Sequence, residues 1–130
     1  MTTSNSSTEY RSAWRTKSIK TEKEWGWETS WSAMSTIVCK ILHINAGNST
    51  SFKYYKNKNE TLYIMSGLVE ITYGSELFQE DPVQHPMKTE LFAAGDAINI
   101  QSNCPYKLTA IEQSEVLEIG DNSRSDYVRV

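Results

Sequence analysis

Short runs of β-branched and aromatic residues, each closed by turn-forming residues, limit most strongly what this chain can fold into. The clearest run is residues 36–44 (TIVCKILHI), and the turn sequence at residues 45–48 follows it. No stretch keeps the 3.6-residue apolar period of an amphipathic helix. Because such runs are typical of half-buried or fully buried strands, we predict an all-β domain, built as a sandwich or a small barrel.

Turn residues and prolines divide the remaining strand segments. These segments are residues 50–55, 60–73, 91–92, 97–100, 106–111 and 116–119. The pair Ser66–Gly67 predicts a hinge that splits residues 60–73 into two strands. Pro82 and Pro86 exclude a central strand, so residues 75–89 are interpreted as a surface excursion. The run at residues 56–59 (KNKN) is interpreted as a solvated turn.

The N-terminal part differs from the rest of the chain in composition. Residues 2–8 are all Ser, Thr or Asn, which cannot bury enough surface to offset their ordering entropy. We predict a disordered or exchanged arm over residues 1–18 and one folded domain over residues 19–130. Trp25, Trp27 and Trp31 indicate a first strand that closes the barrel or a dimer interface, with stacking on a sugar as the alternative. A homodimer is expected, because an exchanged N-terminal strand would cover a sheet edge.

Composition excludes several partner classes. The 130 residues fit a single domain, and 13 basic against 16 acidic residues give a net charge of −3. Without a basic excess, we expect no nucleic-acid partner. No apolar run approaches the roughly 20 residues of a membrane span, and the N-terminus has no apolar signal segment, so we expect no membrane association and a cytoplasmic protein. Cys39 and Cys104 are expected to be free thiols.

A glycine and acid spacing carries the most specific signal. This spacing pattern comprises Gly47, Lys53, Tyr55, Glu60 and Gly67. A second, less specific pattern follows and comprises Gly95, Gln101, Asn103, Tyr106 and Ala110. These intervals resemble the two conserved motifs of the cupins. Within the cupins, the sequence is most similar to type II mannose-6-phosphate isomerases and their small single-domain relatives. The similarity lies in residues 24–28, 40–47, 60–67 and 126–129. The resemblance covers about residues 24–130 and implies a jelly-roll, or double-stranded β-helix, barrel.

The metal-binding positions of that family are largely replaced. Members that bind a metal have His or Gln, His, Glu and His where this chain has Lys53, Tyr55, Glu60 and Tyr106. An ammonium repels a cation and a phenol seldom gives up its proton, so only Glu60 remains a good ligand. His43 and His85 lie outside the motifs. We therefore predict no bound metal and no cofactor.

Strand alternation predicts what takes the place of the metal. Lys53 and Tyr55 share a face, and in the cupin register they converge with Glu60 and Tyr106 inside the barrel. The set is interpreted in three ways: a structural ion pair between Lys53 and Glu60, acid–base chemistry on a sugar or keto group, or binding of a small polar ligand without turnover.

Two residues outside this set are further candidates. Arg129 matches an arginine of the isomerase pattern and would contact a phosphate. His43 is either a packed strand residue or a catalytic base. Candidate catalytic residues are thus Lys53, Glu60, Tyr106 and His43, and candidate ligand-binding residues are Lys53, Tyr55, Glu60, Tyr106 and Arg129.

The predicted function is a metal-free cupin that binds a sugar, a sugar phosphate or another small polar ligand. A metal-independent nucleotide-sugar isomerase or epimerase and a non-catalytic structural cupin are the alternatives. Fold resemblance alone supports none of these functions.

Overall fold

The computed structural model describes residues 10–32, 34, 36–122 and 124–130, and the described part of the chain is built from strands. The strands are β1 (Ile19–Lys23), β2 (Gly26–Ser32), β3 (Val38–Ile44), β4 (Lys53–Tyr55), β5 (Glu60–Ser66), β6 (Leu68–Tyr73), β7 (Lys88–Ala93), β8 (Ala97–Ile100), β9 (Tyr106–Ala110), β10 (Ser114–Gly120) and β11 (Tyr127–Arg129). A short 3-10 helix spans Glu76–Gln79. The all-β prediction is confirmed.

The strands form two antiparallel sheets. One sheet has the order β1-β2-β3-β10-β5-β8, and the other has the order β11-β4-β9-β6-β7. Neighbours distant in sequence lie side by side in both sheets, so chain segments from both halves must come together before either sheet is complete.

The core lies between the two sheets, where strand alternation aims the apolar side chains. Along β5 the exposed and buried positions alternate, so that Leu62 and Ile64 face inward. The buried core residues are Leu42, Ile44, Leu62, Ile64, Val69, Ile71, Ile100, Tyr106, Leu108, Ala110 and Val116. The inner faces of the sheets are therefore apolar along most of their length.

The predicted hinge between β5 and β6 is present at Gly67. Its φ of +91° lies in the left-handed region, and an added Cβ would approach the Ser114 hydroxyl oxygen to 2.3 Å and the Gln113 carbonyl oxygen to 2.4 Å. Only glycine meets both conditions without strain.

The predicted surface excursion is also confirmed, although it ends slightly earlier than expected. The chain leaves β6 after Tyr73, forms the 3-10 helix capped by the Ser75 hydroxyl, and re-enters the second sheet at Lys88. His85 lies exposed in this segment, as predicted.

Two predicted strands are shorter in the structure. Residues 36–44 form a strand only from Val38, and residues 50–55 only from Lys53. Ser49 and Thr50 contact β9 through an isolated bridge to Thr109 and through two hydrogen bonds between Thr50 and Leu108. Residues 49–50 therefore run beside β9 without forming a regular strand pair with it.

The tryptophans do not all lie on one face of the sheet, as spacings of two and four residues would require in a regular strand. Gly26, with a φ of +149° and no room for a Cβ beside the His43 carbonyl oxygen, interrupts the alternation. Trp25 packs against the core, whereas Trp27 stacks on His43. His43 lies on the outer face, because Leu42 and Ile44 face inward.

The N-terminal arm can be compared with the structure only in part. Residues 10–18 are exposed and belong to no strand, and residues 1–9 of the predicted arm lie outside the described residues. Among the described residues, the first strand is β1, and the domain boundary stays a prediction. Within the described ranges no helix is long and apolar enough to span a membrane. Cys39 and Cys104 are free thiols, as expected.

Candidate functional site

A cluster of charged side chains interrupts the apolar inner face of the first sheet near one end of the barrel. Lys40 on β3 and Glu118 on β10 are directly opposite each other, and Glu28 on β2 faces Leu42. Each occupies a position in phase with core residues, so alternation turns it inward. The cluster also includes Lys58, Glu60, Tyr55 and Tyr106.

Lys58 lies at the centre of this cluster. Its ammonium lies 2.9 Å from Glu118 Oε2 and 3.8 Å from Glu60 Oε1, and the three side chains are 4%, 5% and 1% exposed. The ring of Tyr55 covers the ammonium at 4.0 Å from its centroid. Because two carboxylates and one aromatic face surround it, the charge is well compensated despite its burial.

The interpretation of residues 56–59 as a solvated turn is wrong for Lys58. Asn59 ties the loop to the barrel end: its backbone N–H and its side-chain amide donate to the Asp121 carboxylate, and its side-chain carbonyl accepts from the Ser102 N–H. These contacts turn the neighbouring Lys58 inward. The composition of the run, two lysines and two asparagines, gave no sign of which lysine would be buried.

Glu60 and Tyr106 meet as predicted. The Tyr106 hydroxyl donates to Glu60 Oε2 at 2.9 Å, whereas the buried Oε1 of Glu60 has no hydrogen-bond partner among the described residues. Burial, followed by the neighbouring Glu118 carboxylate, raises the pKa of Glu60 to about 7. Burial and the Glu60 carboxylate likewise raise the pKa of Tyr106 well above its usual value. Glu60 therefore exchanges its proton near neutral pH.

The predicted ion pair between Lys53 and Glu60 is not the one that forms. Lys58 is the ammonium beside Glu60, and within the described chain no carboxylate oxygen lies within 4.0 Å of Lys53 Nζ. That Nζ lies over the rings of Tyr55 and Tyr127, at 5.6 and 5.4 Å from their centroids. Burial lowers the pKa of Lys53. Lys53 and Tyr55 do share a face, as alternation predicts.

The remaining candidates lie at the margin or outside. Arg129 is exposed on β11, directly opposite Lys53 in the strand register, and so faces the same side. His43 does not join the barrel cluster. Its ring nitrogens contact Thr29 and Glu115 on the outside of the first sheet. His43 is therefore separate from the other catalytic candidates, Lys53, Glu60 and Tyr106, and a catalytic role for it stays a prediction.

A cavity of about 570 Å³ opens beside the charged cluster. It is lined by Ile19, Glu28, Ser30, Trp31, Ile37, Val38, Cys39, Lys40, Tyr55, Lys58, Asn122, Ser125 and Tyr127. Burial disfavours the charged form of Lys40, but Glu118 and Glu28 outweigh this effect and raise its pKa. Lys40 thus remains an ammonium, 3.5 Å from the Glu28 carboxylate.

Sequence reasoning missed Glu28, Lys40, Lys58 and Glu118. A signal for two of them was present: Lys40 has the same phase as Leu42 and Ile44, and Glu118 has the same phase as Val116. A charged residue in phase with a core stripe needs a partner on a neighbouring strand. Lys58 had no comparable signal, because loops have no fixed alternation.

The residues do not fit a metal ion. Across the residues that the structure describes, no three His, Cys, Asp or Glu side chains cluster closely enough to hold one. The Lys58 ammonium lies against both Glu60 and Glu118, and a second cation there would be repelled. The absence of a bound metal remains a prediction, which elemental analysis of the purified protein checks.

The chain matches no protein-family model, and no curated protein is similar to it in sequence. Its fold is similar to several solved structures. A mutant of Bacillus subtilis oxalate decarboxylase superposes with a TM-score of 0.74 at 13% identity, over 95% of this chain and 34% of that one. CapF, in complex with the inhibitor 3-isopropenyl-tropolone, gives 0.68 at 11% identity, over 87% and 34%. The SPY1581 protein of unknown function from Streptococcus pyogenes gives 0.57 at 18% identity, over 73% and 72%.

These likenesses concern the fold alone. The chain spans about a third of the oxalate decarboxylase and CapF chains, at identities too low to carry an activity. The topology and the likenesses agree with the architecture that the resemblance to the cupin motifs implies. The chain is a cupin-fold protein, with two antiparallel sheets that form a jelly-roll barrel around an apolar core.

Proposed function

We propose that this chain is a metal-free cupin that binds a small carbohydrate-type ligand in the cavity beside the charged cluster. The observation that carries the proposal is the cavity beside the Lys58 cluster, because its lining combines ammonium, carboxylate, hydroxyl, amide and aromatic groups. Its volume of about 570 Å³ falls within the usual range of small-molecule sites.

The chemistry of the lining favours a sugar over an apolar ligand. Sugar hydroxyls both donate and accept, and the lining offers Glu28 as an acceptor, Lys40 as a donor and Asn122 as both. Trp31 and Tyr127 provide aromatic surface for the apolar face of a sugar ring.

A sugar phosphate is the form that the neighbouring charges favour. Lys53 and Arg129 do not line the cavity, but they lie two residues along β4 and β11 from Tyr55 and Tyr127, which do. In the described part of the chain neither cation forms an ion pair with a carboxylate. A phosphate group would supply the missing anion. A neutral sugar remains the alternative that the binding experiment distinguishes.

The binding experiment compares mannose, mannose 6-phosphate and UDP-glucose by thermal shift and calorimetry. We expect mannose 6-phosphate to raise the melting temperature, because ligand that binds only the folded state stabilises it. Replacing Lys40 by Met should weaken binding about tenfold or more. Lys107→Met is the matched control, since Lys107 alternates with the inward-facing Tyr106 and Leu108 on β9 and does not line the cavity. If none of the three probes binds, or if both variants bind equally well, the proposal is wrong.

Acid–base isomerisation is a second candidate function, favoured by the pKa of about 7 of Glu60 and by its Oε1, which accepts no hydrogen bond in the described part of the chain. Glu60 does not itself line the cavity, but its Oε1 lies 3.8 Å from the ammonium of Lys58, which does. As a carboxylate, Glu60 would remove a proton from the carbon beside a sugar carbonyl. The Lys58 ammonium would stabilise the resulting enediolate oxygen. The proton of the neighbouring hydroxyl would then pass to that oxygen, and Glu60 would return the carbon-bound proton to the former carbonyl carbon, so that the carbonyl forms at the neighbouring position.

Proton exchange distinguishes binding from turnover. In D₂O, an isomerising protein should introduce deuterium at the carbon next to the carbonyl of the bound sugar, which NMR detects. Glu60→Gln should abolish the exchange while binding persists, and Glu112→Gln, at an exposed carboxylate, should leave it unchanged. Binding without any exchange in the parent protein would reject this second function and leave the first intact.

A further inference from the structure

A second group of side chains on the outer face of the first sheet has the arrangement of a nucleophile, a base and an orienting acid. The residues are Thr29 on β2, His43 on β3 and Glu115 on β10, three adjacent strands of the sheet. His43 Nε2 lies 3.1 Å from Thr29 Oγ1, and His43 Nδ1 lies 3.0 Å from Glu115 Oε2. Both distances are those of hydrogen bonds.

The protonation of the imidazole follows from its partners. A carboxylate can only accept, so the Glu115 contact requires the proton on Nδ1. Nε2 of the neutral ring then has a free lone pair, and it accepts the hydrogen bond from the Thr29 hydroxyl. Trp27 stacks on the ring with a centroid separation of 4.7 Å and an interplanar angle of 11°, which holds the imidazole in this orientation.

A cation adjoins the hydroxyl. Lys20 on β1 is directly opposite Thr29 in the strand register, so both side chains point outward. The Lys20 ammonium lies 4.8 Å from the centroid of the Trp27 ring and 3.3 Å from Glu22. It can move toward negative charge that develops on a group attached to Thr29, because its side chain is largely exposed.

We propose that Thr29, His43 and Glu115 form an acyl-transfer site on the outside of the barrel, with activated carboxylic esters as the substrate class. Thr29 Oγ1 attacks the ester carbonyl carbon and gives its proton to His43 Nε2. The tetrahedral oxyanion collapses as the ester oxygen leaves and takes that proton, so that an alcohol departs and an acyl-threonine remains. Water then attacks the acyl-threonine by the same route, and the carboxylic acid is released.

The site is separate from the barrel cavity. Thr29, His43 and Glu115 point outward, on the opposite side of the sheet from Leu42, Ile44 and Val116, and none of the three lines the cavity. A ligand in the barrel should therefore leave the acyl-transfer reaction unchanged. An experiment can therefore reject acyl transfer at the outer face without rejecting sugar binding in the cavity, and the reverse also holds.

Peptide-resolved mass spectrometry after brief treatment with p-nitrophenyl acetate tests the site. We expect acetylation of Thr29 at least about tenfold faster than that of Thr109, because a general base is worth roughly 100-fold or more when well placed. Thr109 is a suitable internal control, since it is also a strand threonine whose hydroxyl is hydrogen-bonded, in its case to Ser49 at 2.7 Å rather than to an imidazole. Resolution by peptide keeps lysine adducts out of the comparison.

Variants separate catalysis from mere exposure. Thr29→Val should abolish the adduct at this position, Thr29→Ser should retain it, and Thr109→Val should leave it unchanged. Glu115 acts as a positioning residue, so Glu115→Gln should slow Thr29 acetylation and Glu115→Asp should restore part of the rate. Circular dichroism and melting curves verify that each variant is folded. Equal acetylation of Thr29 and Thr109, or a rate unchanged by Glu115→Gln and His43→Gln, would overturn the proposal.

Discussion

Lys58 is the residue on which the charged cluster depends most. Removing one partner of a buried ionic group leaves the others uncompensated, which typically costs about 3–5 kcal/mol. We expect Lys58→Met to lower the free energy of unfolding by that amount at pH 7, because Glu118 and Glu60 would share the interior without a cation. Urea denaturation measures the effect.

Two further variants test whether the loss of stability comes from removing the buried charge of Lys58. Lys56→Met changes an exposed lysine of the same loop and should alter stability by no more than about 0.5 kcal/mol. Adding Glu118→Gln to Lys58→Met should recover much of the loss, because the buried group is then neutral. Equal stability of the two single variants would show that Lys58 does not neutralise the cluster.

The raised pKa of Glu60 predicts in which direction the stability of the protein changes with pH. Its pKa is about 7 in the folded protein, against a usual value of 4.5, so the folded state holds the proton more tightly than the unfolded state. Stability should therefore fall as the pH rises from about 4.5 to 7 and then level off. The pKa difference corresponds to a loss of up to about 3 kcal/mol.

The comparison with Glu60→Gln isolates this contribution. The variant cannot titrate at this position, so the difference in unfolding free energy between the parent and the variant should change across the same pH range. Urea denaturation at pH 5, 6, 7 and 8 gives that difference. A constant difference would mean that Glu60 is already ionised in the folded protein at pH 5.

At the scale of elements, the β5–β6 hinge sets the position of one sheet against the other. Gly67→Ala combines a left-handed φ with a Cβ closer than 3 Å to Ser114 and Gln113, whereas Gly95→Ala has a similar φ of +96° and nothing within 4 Å. We expect the first variant to cost more than the second, for which about 1–2 kcal/mol of backbone strain is the whole effect. Melting temperatures rank the two, and an equal loss would contradict the steric argument.

At the scale of the whole molecule, the first sheet ends in β1, an edge strand in the described part of the chain. All five β1 residues are exposed, and Ile19 is 66% exposed. We predict that a second copy pairs with this edge to form a homodimer. Light scattering should give twice the chain mass, and Ile19→Lys should shift the mass toward the monomer.

Val83→Lys is the control for that experiment. Val83 is 86% exposed in the excursion, far in sequence from β1, and its replacement should leave the dimer intact. A monomeric mass for the parent protein at high concentration would reject the dimer.

Most of the architecture was accessible from the sequence because its causes are local. Alternation, turn residues and the Gly67 hinge act over a few neighbours, and they predicted most of the strands, their inward faces and the excursion after β6, although β1 and β11 were not predicted. The face that Trp25 occupies could not be predicted from alternation. The left-handed conformation of Gly26 interrupts the alternation after Trp25, and it is imposed by the close approach of Gly26 to β3. The cupin register, which the resemblance implies, also predicted that Glu60 and Tyr106 meet inside the barrel.

The composition of the candidate site was decided by tertiary structure. Phase along a strand shows that Lys40 and Glu118 face inward, but only the pairing of β3 with β10 makes them neighbours. Lys58 is buried because Asn59 ties its loop to Asp121, about sixty residues away in sequence. By itself the sequence determined which residues of the regular strands face the barrel interior, but not that the loop residue Lys58 does. Their partners depended on contacts between distant segments, because an ion pair forms between atoms that are close in space, and local spacing does not encode that distance.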